Sequence, residues 1–321
     1  MKIIKIWENE ANQRLDRFLR KYLKSTWISL SKIFQLIRKW NIKVNNRKKN
    51  QKYELKEWDE LKFPNFIEYE RNYSELNKEE KIKKIDKWEI KKYLIYEDKN
   101  WLAVNKPSWI PIHAWDKNID NINMVDLLNS YLWKWSKTFS AMYWYRLDKD
   151  TTWVLLAWKN YESLKYINKL IKNRQTKKRY LAIVSGNIDK EIIIKKRLKK
   201  IYDKNVWKNI VIVDKNWDTA VTKVKLINTI KDKYLNSISL LDIELVTWRM
   251  HQIRVHLSSI WKPIIWDLLY WNKNINELAT KKYWIRRQLL HASEYIFFDK
   301  FQNENIKIKA KIPEDFKILF K

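Results

Sequence analysis

A single glycine in 321 residues is the feature that most limits how this chain can turn. Average usage puts glycine near 7%, so about 22 glycines are expected at this length. The chain has 20 tryptophans instead. Several tryptophans stand in sequence contexts typical of turns with positive φ, which glycine adopts easily and bulky side chains resist. The clearest examples are Trp109, Trp153, Trp248 and Trp266.

A UGA codon translated as tryptophan, in a gene whose host translates it as glycine, explains this substitution pattern. The richness in lysine, isoleucine and asparagine fits the AT-rich genome in which such a reassignment is plausible. The alternative is a protein that is truly rich in tryptophan. We therefore interpret most tryptophans as glycines, but not all of them, since Trp133 and Trp135 have no turn context.

The charge of the chain predicts a polyanionic partner. The formal net charge is +30, from 67 basic and 37 acidic residues. Nucleic acid is favoured over an anionic membrane, because the sequence shows no amphipathic basic anchor and no lipidation signal. It also shows no run of eighteen apolar residues and no signal peptide, so we expect no membrane association and a cytoplasmic location.

The absence of cysteine narrows the possible chemistry. It excludes disulfides, thiolate nucleophiles and cysteine-ligated zinc. A metal site built from protein ligands alone is also not expected, because the chain has only four histidines: His113, His251, His256 and His291. Any reaction must then rely on carboxylates, tyrosine, lysine, arginine or the substrate itself, and we expect no cofactor and no metal.

Residues 12–64 are predicted to form a compact basic module. Apolar stripes indicate helices over 14–24 and 29–39, and short strands are predicted at 42–44 and 60–63. The module has 15 basic and 5 acidic residues, a net charge of +10. A solvated charged surface is the alternative explanation of that charge.

Two segments of the module, 14–19 (RLDRFL) and 36–45 (LIRKWNIKVN), resemble the RNA-binding domain named after ribosomal protein S-four. With Trp40 and Trp58 taken as glycine, the resemblance covers the whole module. It implies RNA binding by the basic side chains of the module, namely Arg14, Arg17, Arg38, Lys39 and Lys43.

The rest of the chain is predicted to be a linker over 65–92 and a larger domain over 93–321. The linker is charged and aperiodic, and it has some potential to be helical. The larger domain has β-rich runs at 154–157, 180–184 and 237–245 and a helix near 161–174. Strands outnumber helices without regular alternation, which predicts an α+β fold with a mixed, largely antiparallel sheet beside the small N-terminal α/β domain.

The strongest local signal is the charged turn at 145–153 (YRLDKDTTW), directly ahead of an apolar strand. Asp148 lies between Arg146 and Lys149, and neighbouring positive charge keeps a carboxylate ionised, as a nucleophile or base requires. A solvated turn with local ion pairs is the alternative. The same tripeptide recurs at Asp16 in the basic module, where it favours a helix start.

With Trp153 taken as glycine, residues 146–153 resemble the active-site motif of the RluA-type pseudouridine synthases. Three further family motifs are present in order: 104–109 (VNKPSW), 178–186 (KRYLAIVSG), and 247–257 (TWRMHQIRVHL) with 262–267 (KPIIWD). Together they span about residues 101–295. A single motif would be weak evidence, but four in order are specific.

The resemblance implies a cofactor-free isomerisation, in which a flipped-out uridine is detached from its ribose and rejoined through carbon 5. Asp148 would be the essential carboxylate, attacking the ribose or abstracting a sugar proton. Arg254 would pair with Asp148, and Tyr180 would stack on the base and help to remove the carbon 5 proton. Arg146 would fill the space left by the base, and Lys106 is a further predicted substrate-binding residue.

Each assignment has a structural alternative. Tyr180 could be an ordinary strand aromatic, and Arg254 a structural ion-pair residue. His251 and His256 flank Arg254, but packing or hydrogen bonding is favoured over a role as general base. The sequence departs from the family pattern at Tyr145, where histidine is usual, and at Thr152, where serine is usual.

The resemblance places the chain in the ribosomal branch of the family, with large-subunit (23S) ribosomal RNA as substrate, free or in a precursor particle. The segment 216–222 (NWDTAVT) favours the RluC subtype over RluD. We expect a monomer that contributes to ribosome biogenesis. The alternatives are a non-catalytic ribosome-assembly factor and a transfer RNA pseudouridine synthase.

Overall fold

The computed structural model describes residues 2–24, 28–39, 41–64, 84–112, 122–132, 151–188, 190–204, 207–270 and 273–320. Several residues singled out from the sequence lie outside these ranges: Trp40, His113, Trp133, Trp135, Tyr145, Arg146, Asp148 and Lys149. For Trp153, only the backbone is described.

The helices within the described ranges are α1 (Leu15–Tyr22), α2 (Leu30–Arg38), α3 (Met124–Leu132), α4 (Tyr161–Lys172), α5 (Gln252–Ser258), α6 (Lys273–Tyr283) and α7 (Glu314–Leu319). A short 3₁₀ helix covers Glu89–Tyr93. Every helix in these ranges is too short or too polar to span a lipid bilayer.

The strands are β1 (Lys2–Lys5), β2 (Lys43–Val44), β3 (Glu60–Phe63), β4 (Leu94–Glu97), β5 (Trp101–Lys106), β6 (Thr152–Trp158), β7 (Thr176–Ser185), β8 (Ile192–Asp203), β9 (Lys208–Val213), β10 (Asp218–Asp232), β11 (Asn236–Leu245), β12 (Leu290–Asp299) and β13 (Glu304–Lys309). The helices and strands predicted from periodicity are all present, with helix ends one or two residues shorter. Strand β1 was not predicted.

The first 63 residues contain a hydrophobic core of their own. Helices α1 and α2 are accompanied by a three-stranded antiparallel sheet of order β1-β3-β2. The buried cluster includes Leu15, Phe18 and Leu19 of α1 and Ile33 and Leu36 of α2, as the apolar stripes predicted. Asp16 lies in the first turn of α1, where a negative charge favours the positive end of the helix dipole.

The larger sheet confirms the predicted α+β class. Its strand order is β4-β5-β6-β12-β7-β11-β10-β8-β9, and β13 pairs with β12. The pairs β12·β7, β7·β11, β11·β10, β10·β8 and β8·β9 are all antiparallel. Strand β6 instead pairs with β12 in parallel. The sheet is therefore mixed and largely antiparallel.

The chain divides into two compact units. One unit comprises residues 1–103, 111–145 and 156–172, and the other comprises residues 104–110, 146–155 and 173–321. The second unit contains most of the large sheet, from β7 to β13, together with helices α5 to α7. All of the described candidate catalytic residues belong to this second unit.

The backbone at the tryptophans agrees with the turn hypothesis at some positions and contradicts it at others. Five of the tryptophans in the described ranges have φ between 51° and 69°: Trp58, Trp207, Trp261, Trp266 and Trp284. The single glycine, Gly186, has φ of 87°. Positive φ was therefore correctly predicted for Trp266.

The prediction of positive φ was wrong for Trp109, Trp153 and Trp248, which are not among the residues with positive φ. Trp153 lies inside strand β6, paired with Ala292, and a strand needs extended backbone with negative φ. Trp109 lies in a turn, and Trp248 lies in irregular backbone directly after a bend. Such turns can close with negative φ throughout, as type I turns do.

Candidate active site

Two of the predicted motifs lie two strands apart in the same sheet. Trp153 of β6 pairs with Ala292 of β12, and Ala292 pairs with Tyr180 of β7. Because neighbouring strands are about 4.8 Å apart, this row brings the end of the charged turn to within about 10 Å of the Tyr180 backbone. The sheet thus brings together two segments separated by 27 positions in sequence.

The start of β6 is held in place by two side-chain hydrogen bonds. The hydroxyl of Thr152 is 2.9 Å from Nδ1 of His291, its partner in the parallel ladder. The amide of Gln288 donates to the hydroxyl of Thr151 over 2.7 Å. Both threonines are buried. The C-terminal end of the segment that carries Asp148 is therefore attached to β12.

Tyr180 is buried on β7, where only 5% of its surface is exposed. Its neighbours on the adjacent strands are Ile243 and Ala292. The register between β7 and β12 shifts between Ala292 and Glu294, which makes Ser293 the extra residue of a bulge. Bulges bend a strand and redirect side chains, and they are common beside active sites.

Lys178, two residues before Tyr180, occupies the same face of β7. It is buried, and its ammonium lies 4.6 Å from the ring centre of Trp248 and 5.8 Å from that of Tyr295. Burial lowers the pKa of Lys178 well below its ordinary value. The ring contact brings the long C-terminal motif, which contains Trp248, against the strand of Tyr180.

Arg254 lies in α5 and forms a buried ion pair with Asp267. Nε of Arg254 donates to one carboxylate oxygen and NH2 to the other, both over 2.7 Å. Their side chains are 7% and 1% exposed. A guanidinium has five N–H donors, so this pair is compatible with the predicted contact to Asp148. That contact stays a prediction, because Asp148 lies outside the described residues.

The loop after α5 attaches this ion pair to the sheet. The backbone N–H of Ile265 donates to the carbonyl of Ile183 on β7, over 3.0 Å. The N–H of Leu289, just before β12, donates to the carbonyl of Ile265 over the same distance. Asp267 is therefore two residues from a segment that bonds to both β7 and β12.

Gln252 organises the start of α5. Its carbonyl oxygen accepts from the hydroxyl of Thr247 and the N–H of Arg249, over 2.9 and 3.0 Å. Its amide donates to the carbonyl of Val221 and the hydroxyl of Thr222. These bonds tie the motif to β10, and a buried amide with several partners holds its surroundings rigid.

The two histidines beside Arg254 make hydrogen bonds, as predicted. Nδ1 of His251 is 2.8 Å from the hydroxyl of Tyr270, and Nδ1 of His256 is 2.9 Å from the hydroxyl of Thr222. Burial, with a smaller contribution from the charge of Lys196, lowers the pKa of His256 to about 4. Burial and the charge of Arg287 lower the pKa of His291 to about 4.

The lowered pKa values of His256 and His291 predict that the protein loses stability in mild acid. The ordinary histidine pKa is about 6.5. Between about pH 6.5 and pH 4, both histidines are therefore protonated in the unfolded chain but stay neutral in the folded chain. The free energy of unfolding should therefore fall as the pH decreases through this window, by about 2 kcal/mol per histidine between pH 7 and pH 5. Urea denaturation at several pH values measures this. His256→Gln should remove about half of the pH dependence, and an unchanged slope would contradict the assignment.

The predicted RNA-contacting residues of the N-terminal module differ in exposure. Arg17, Arg38 and Lys39 are exposed, and Lys43 is half-buried. Arg14 donates through Nε and NH2 to the carboxylate of Asp16, over 3.1 and 2.7 Å. A cavity of about 340 Å³ lies beside α2, lined by Ile37, Arg38, Lys48, Lys49, Asn50, Gln51 and Lys52.

Lys106, the other predicted substrate-binding residue, is buried at the end of β5. Only 1% of its surface is exposed, and Nζ donates to the carbonyl of Pro107 over 2.6 Å. In the described part of the chain, no group of three or more histidine, aspartate or glutamate side chains could hold a metal ion.

Gln252, Asp267 and Tyr270 organise the site but were not predicted from the sequence. Gln252 and Asp267 stand inside the quoted motifs, and Tyr270 follows three residues later. Asp267 and Tyr270 lie in the loop after α5, and the available signal for Gln252 was its position inside a quoted motif. Its partners could not be identified, because Thr222 and Val221 are about thirty residues away in sequence.

The sheet aligns Trp153, the last residue of the charged turn, with Tyr180, and Arg254 is buried in the same compact unit. This arrangement fits the class of RNA-modifying isomerases. Residues 100–259 match the family model described as RNA pseudouridylate synthase. The chain belongs to this family, which confirms the resemblance stated on the motifs.

Curated relatives match nearly the whole chain. A protein of Buchnera aphidicola subsp. Baizongia pistaciae named ribosomal large subunit pseudouridine synthase C is 33% identical over 99% of this chain and 96% of its own length. Proteins of the same name from Vibrio cholerae and Escherichia coli K12 are each 27% identical. They align with 97% and 99% of this chain and with 93% and 95% of their own lengths.

Solved structures share the fold. Human RNA pseudouridylate synthase domain containing 4 superposes with a TM-score of 0.56 at 22% identity, covering 72% of this chain and 93% of that one. Human RNA pseudouridylate synthase domain containing 1 superposes with a TM-score of 0.53 at 20% identity, covering 68% of this chain and 82% of that one.

Proposed function

We propose that the protein isomerises specific uridines to pseudouridine in large-subunit (23S) ribosomal RNA. The relatives that align over nearly their whole lengths carry names that specify the large ribosomal subunit. The net charge of +30 suits an RNA substrate, since neutralised phosphates supply most of the affinity for nucleic acid. A protein acting on ribosomal RNA contributes to ribosome biogenesis in the cytoplasm, and we propose that it does so as a monomer.

The observation that carries the proposal is the row of Trp153, Ala292 and Tyr180 across three strands. It supports a site in which Asp148, five residues before Trp153, faces the same space as Tyr180. Asp148 either attacks the ribose carbon or removes a sugar proton. The bond between the base and ribose breaks, the base turns, carbon 5 bonds to the ribose, and its proton leaves.

The other residues act on the base and on the carboxylate. Tyr180 stacks on the flipped uracil and assists proton removal from carbon 5, and the bulge at Ser293 bends β12 beside it. Arg254 pairs with Asp148 and keeps it ionised. Arg146 fills the space left by the base and compensates part of the few kcal/mol that flipping costs. Lys106 is the further substrate-binding residue that we propose, and its bond to the carbonyl of Pro107 holds it at the end of β5.

The N-terminal module is proposed to be an S-four-type RNA-binding domain over 12–64, joined by a linker over 65–92 to the catalytic domain over 93–321. Its separate core supports this division. Arg14, Arg17, Arg38, Lys39 and Lys43 would bind mostly phosphates, which position RNA without reading its sequence.

Neutralising the exposed residues Arg38 and Lys39 together with Lys43 tests this role. The triple glutamine variant should bind RNA more weakly, and the slope of log affinity against log salt should decrease by about 2 to 3, since each lost phosphate contact removes about one unit. Fluorescence anisotropy at several salt concentrations measures both quantities. Glutamine at Lys165, Lys169 and Lys172 of α4 provides a control with the same loss of charge, and an equal effect there would contradict a specific surface.

Chromatography of nucleosides after incubation with each RNA separates the two alternative functions. A ribosomal enzyme should form pseudouridine in large-subunit RNA and not in transfer RNA. A transfer RNA enzyme should show the reverse and should lose little when the N-terminal module is neutralised. A non-catalytic assembly factor should bind ribosomal RNA and form no product.

We infer that Trp58, Trp207, Trp261, Trp266 and Trp284 are glycines in the working protein, through UGA recoding. Residues other than glycine with positive φ are uncommon and are mostly asparagine, aspartate or histidine, and a bulky residue there is strained. Among the residues that the structure describes, twelve other than glycine have positive φ, and five of these are tryptophan, as many as are asparagine. Four of the five tryptophans are exposed, so no core packing holds them in this conformation.

A further inference from the structure

We propose that Asp267 and Tyr270 are positioning residues that together fix the orientation of the Arg254 guanidinium for the isomerisation. This inference rests on the proposed function, in which Arg254 pairs with Asp148. It assigns a role to two residues that do not reach the substrate but determine where the guanidinium points.

The ion pair fixes the plane of the guanidinium. Nε and NH2 of Arg254 each donate to a different oxygen of Asp267, both over 2.7 Å. Two parallel bonds remove rotation about the end of the side chain, which a single bond would allow. Both groups are almost fully buried, so water does not compete for these donors.

Asp267 is itself held by its own loop. Its Oδ1 accepts from the backbone N–H groups of Leu269 and Tyr270, over 2.9 and 3.1 Å. Its backbone carbonyl accepts from the amide of Asn276 over 3.1 Å. The carboxylate therefore cannot turn without breaking bonds to the backbone of its loop, which makes it a rigid support for Arg254.

Tyr270 constrains the guanidinium from a second direction. The guanidinium carbon lies 5.1 Å from the ring centre, within the range of a cation–π contact. The ring packs against the buried cluster of Leu198, Val211, Ala220 and Val255. The guanidinium thus has a carboxylate at its edge and an aromatic ring at its face.

The hydroxyl of Tyr270 fixes the ring and the start of α5. It accepts from the backbone N–H of Val211 over 2.8 Å and shares a hydrogen bond with Nδ1 of His251, also at 2.8 Å. His251 caps α5 with φ of 52°, a left-handed conformation that costs free energy in a residue other than glycine. Strained backbone of this kind clusters at functional sites, and here it lies three residues before Arg254.

The chain supplies a matched comparison. Arg287 forms a bidentate pair with Asp315, with Nε and NH2 donating over 2.6 and 2.7 Å, and the Phe316 ring lies 5.8 Å from its guanidinium carbon. This pair has the same chemistry but lies outside the motifs. The hydroxyl of Tyr283, which donates to Asp232, provides a second comparison for Tyr270.

The test compares Tyr270→Phe and Tyr270→Leu with the control variants Tyr283→Phe and Phe316→Leu. Tyr270→Phe keeps the ring but loses the hydrogen bonds of the hydroxyl, and it should lower kcat about tenfold. Tyr270→Leu loses both the ring contact with the guanidinium and these hydrogen bonds, and it should lower kcat about a hundredfold. Small displacements of positioned groups cost this much. KM for RNA should stay within about twofold in both. The control variants should keep the kcat of the parent protein.

A second readout does not depend on turnover. In protein with carbon-13 aspartate carboxylates, the signal that disappears in Asp148→Asn reports the ionisation of Asp148. Tyr270→Leu should raise its titration midpoint by about one pH unit, because a displaced guanidinium stabilises the carboxylate less. Tyr270→Phe preserves the volume of the ring, so it tests the inference even if Tyr270→Leu does not fold.

Parent values of both kcat and midpoint in Tyr270→Phe and Tyr270→Leu would overturn the inference. Equal losses of kcat in Tyr270→Leu and Phe316→Leu, with an unchanged Asp148 midpoint in Tyr270→Leu, would also overturn it by showing a merely structural role. A parent protein that forms no pseudouridine, but whose Asp148 midpoint rises in Tyr270→Leu, would refute the proposed function and support the positioning of Arg254.

Discussion

Replacing Asp148 with asparagine is expected to lower the rate of pseudouridine formation by about 10⁴-fold or more without weakening RNA binding. Asparagine has nearly the same shape but can neither attack the ribose nor accept a sugar proton. Loss of a group that acts directly in the reaction typically costs this much. Single-turnover incubation followed by nucleoside chromatography measures the rate, and filter binding measures the affinity.

Asp150→Asn is the matched control, since it removes an equal charge two residues further along the same turn. It should keep the rate of the parent protein within a few fold. Equal losses in the two variants would mean that the negative charge of the turn matters and not the chemistry of Asp148. Full activity in Asp148→Asn would contradict the active site proposed here.

Restoring glycine at Trp58, Trp207, Trp261, Trp266 and Trp284 is expected to raise the free energy of unfolding by about 3 to 5 kcal/mol in total. The left-handed conformation costs a bulky L-residue roughly 1–2 kcal/mol. Part of this gain is offset at each position, because glycine loses more backbone entropy on folding, which costs about 0.5–1 kcal/mol per residue. The sum is a large fraction of the 5–15 kcal/mol that stabilises a typical protein. Urea denaturation measures it.

Trp101 provides the control in the opposite direction. It is fully buried in β5, so Trp101→Gly should destabilise the protein by at least about 3 kcal/mol through the cavity it leaves. This would mark Trp101 as an authentic tryptophan. If glycine at the five positive-φ positions lowered stability as Trp101→Gly does, the recoding hypothesis would be wrong for them.

The helices and the longer strands could be predicted from the sequence, because each of them depends on a local pattern. The stripe of Leu15, Phe18 and Leu19 repeats with the period of a helix, and the alternation over 237–245 repeats with the period of a strand. The N-terminal strand β1 was missed because its four residues are stabilised by pairing with β3, almost sixty positions away. Non-local pairing leaves no periodic signal in so short a segment.

The candidate site was predictable in its residue types but not in its contacts. The motifs identified Tyr180 and Arg254, but the partner of Arg254 among the described residues is Asp267, which the sequence showed only as the end of a motif. The turn hypothesis was right for Trp266 and wrong for Trp153, because the residues after the charged turn join the sheet immediately. Register and side-chain pairing arise from tertiary packing, which a single sequence does not display.

The most direct test uses protein with glycine at the five positive-φ positions and large-subunit ribosomal RNA carrying tritium at carbon 5 of its uridines. Bonding of carbon 5 to the ribose displaces the tritium into water. We expect release from large-subunit RNA, none from transfer RNA, and none with Asp148→Asn. A folded protein that binds the large-subunit RNA, free or in precursor particles, but releases no tritium would contradict it.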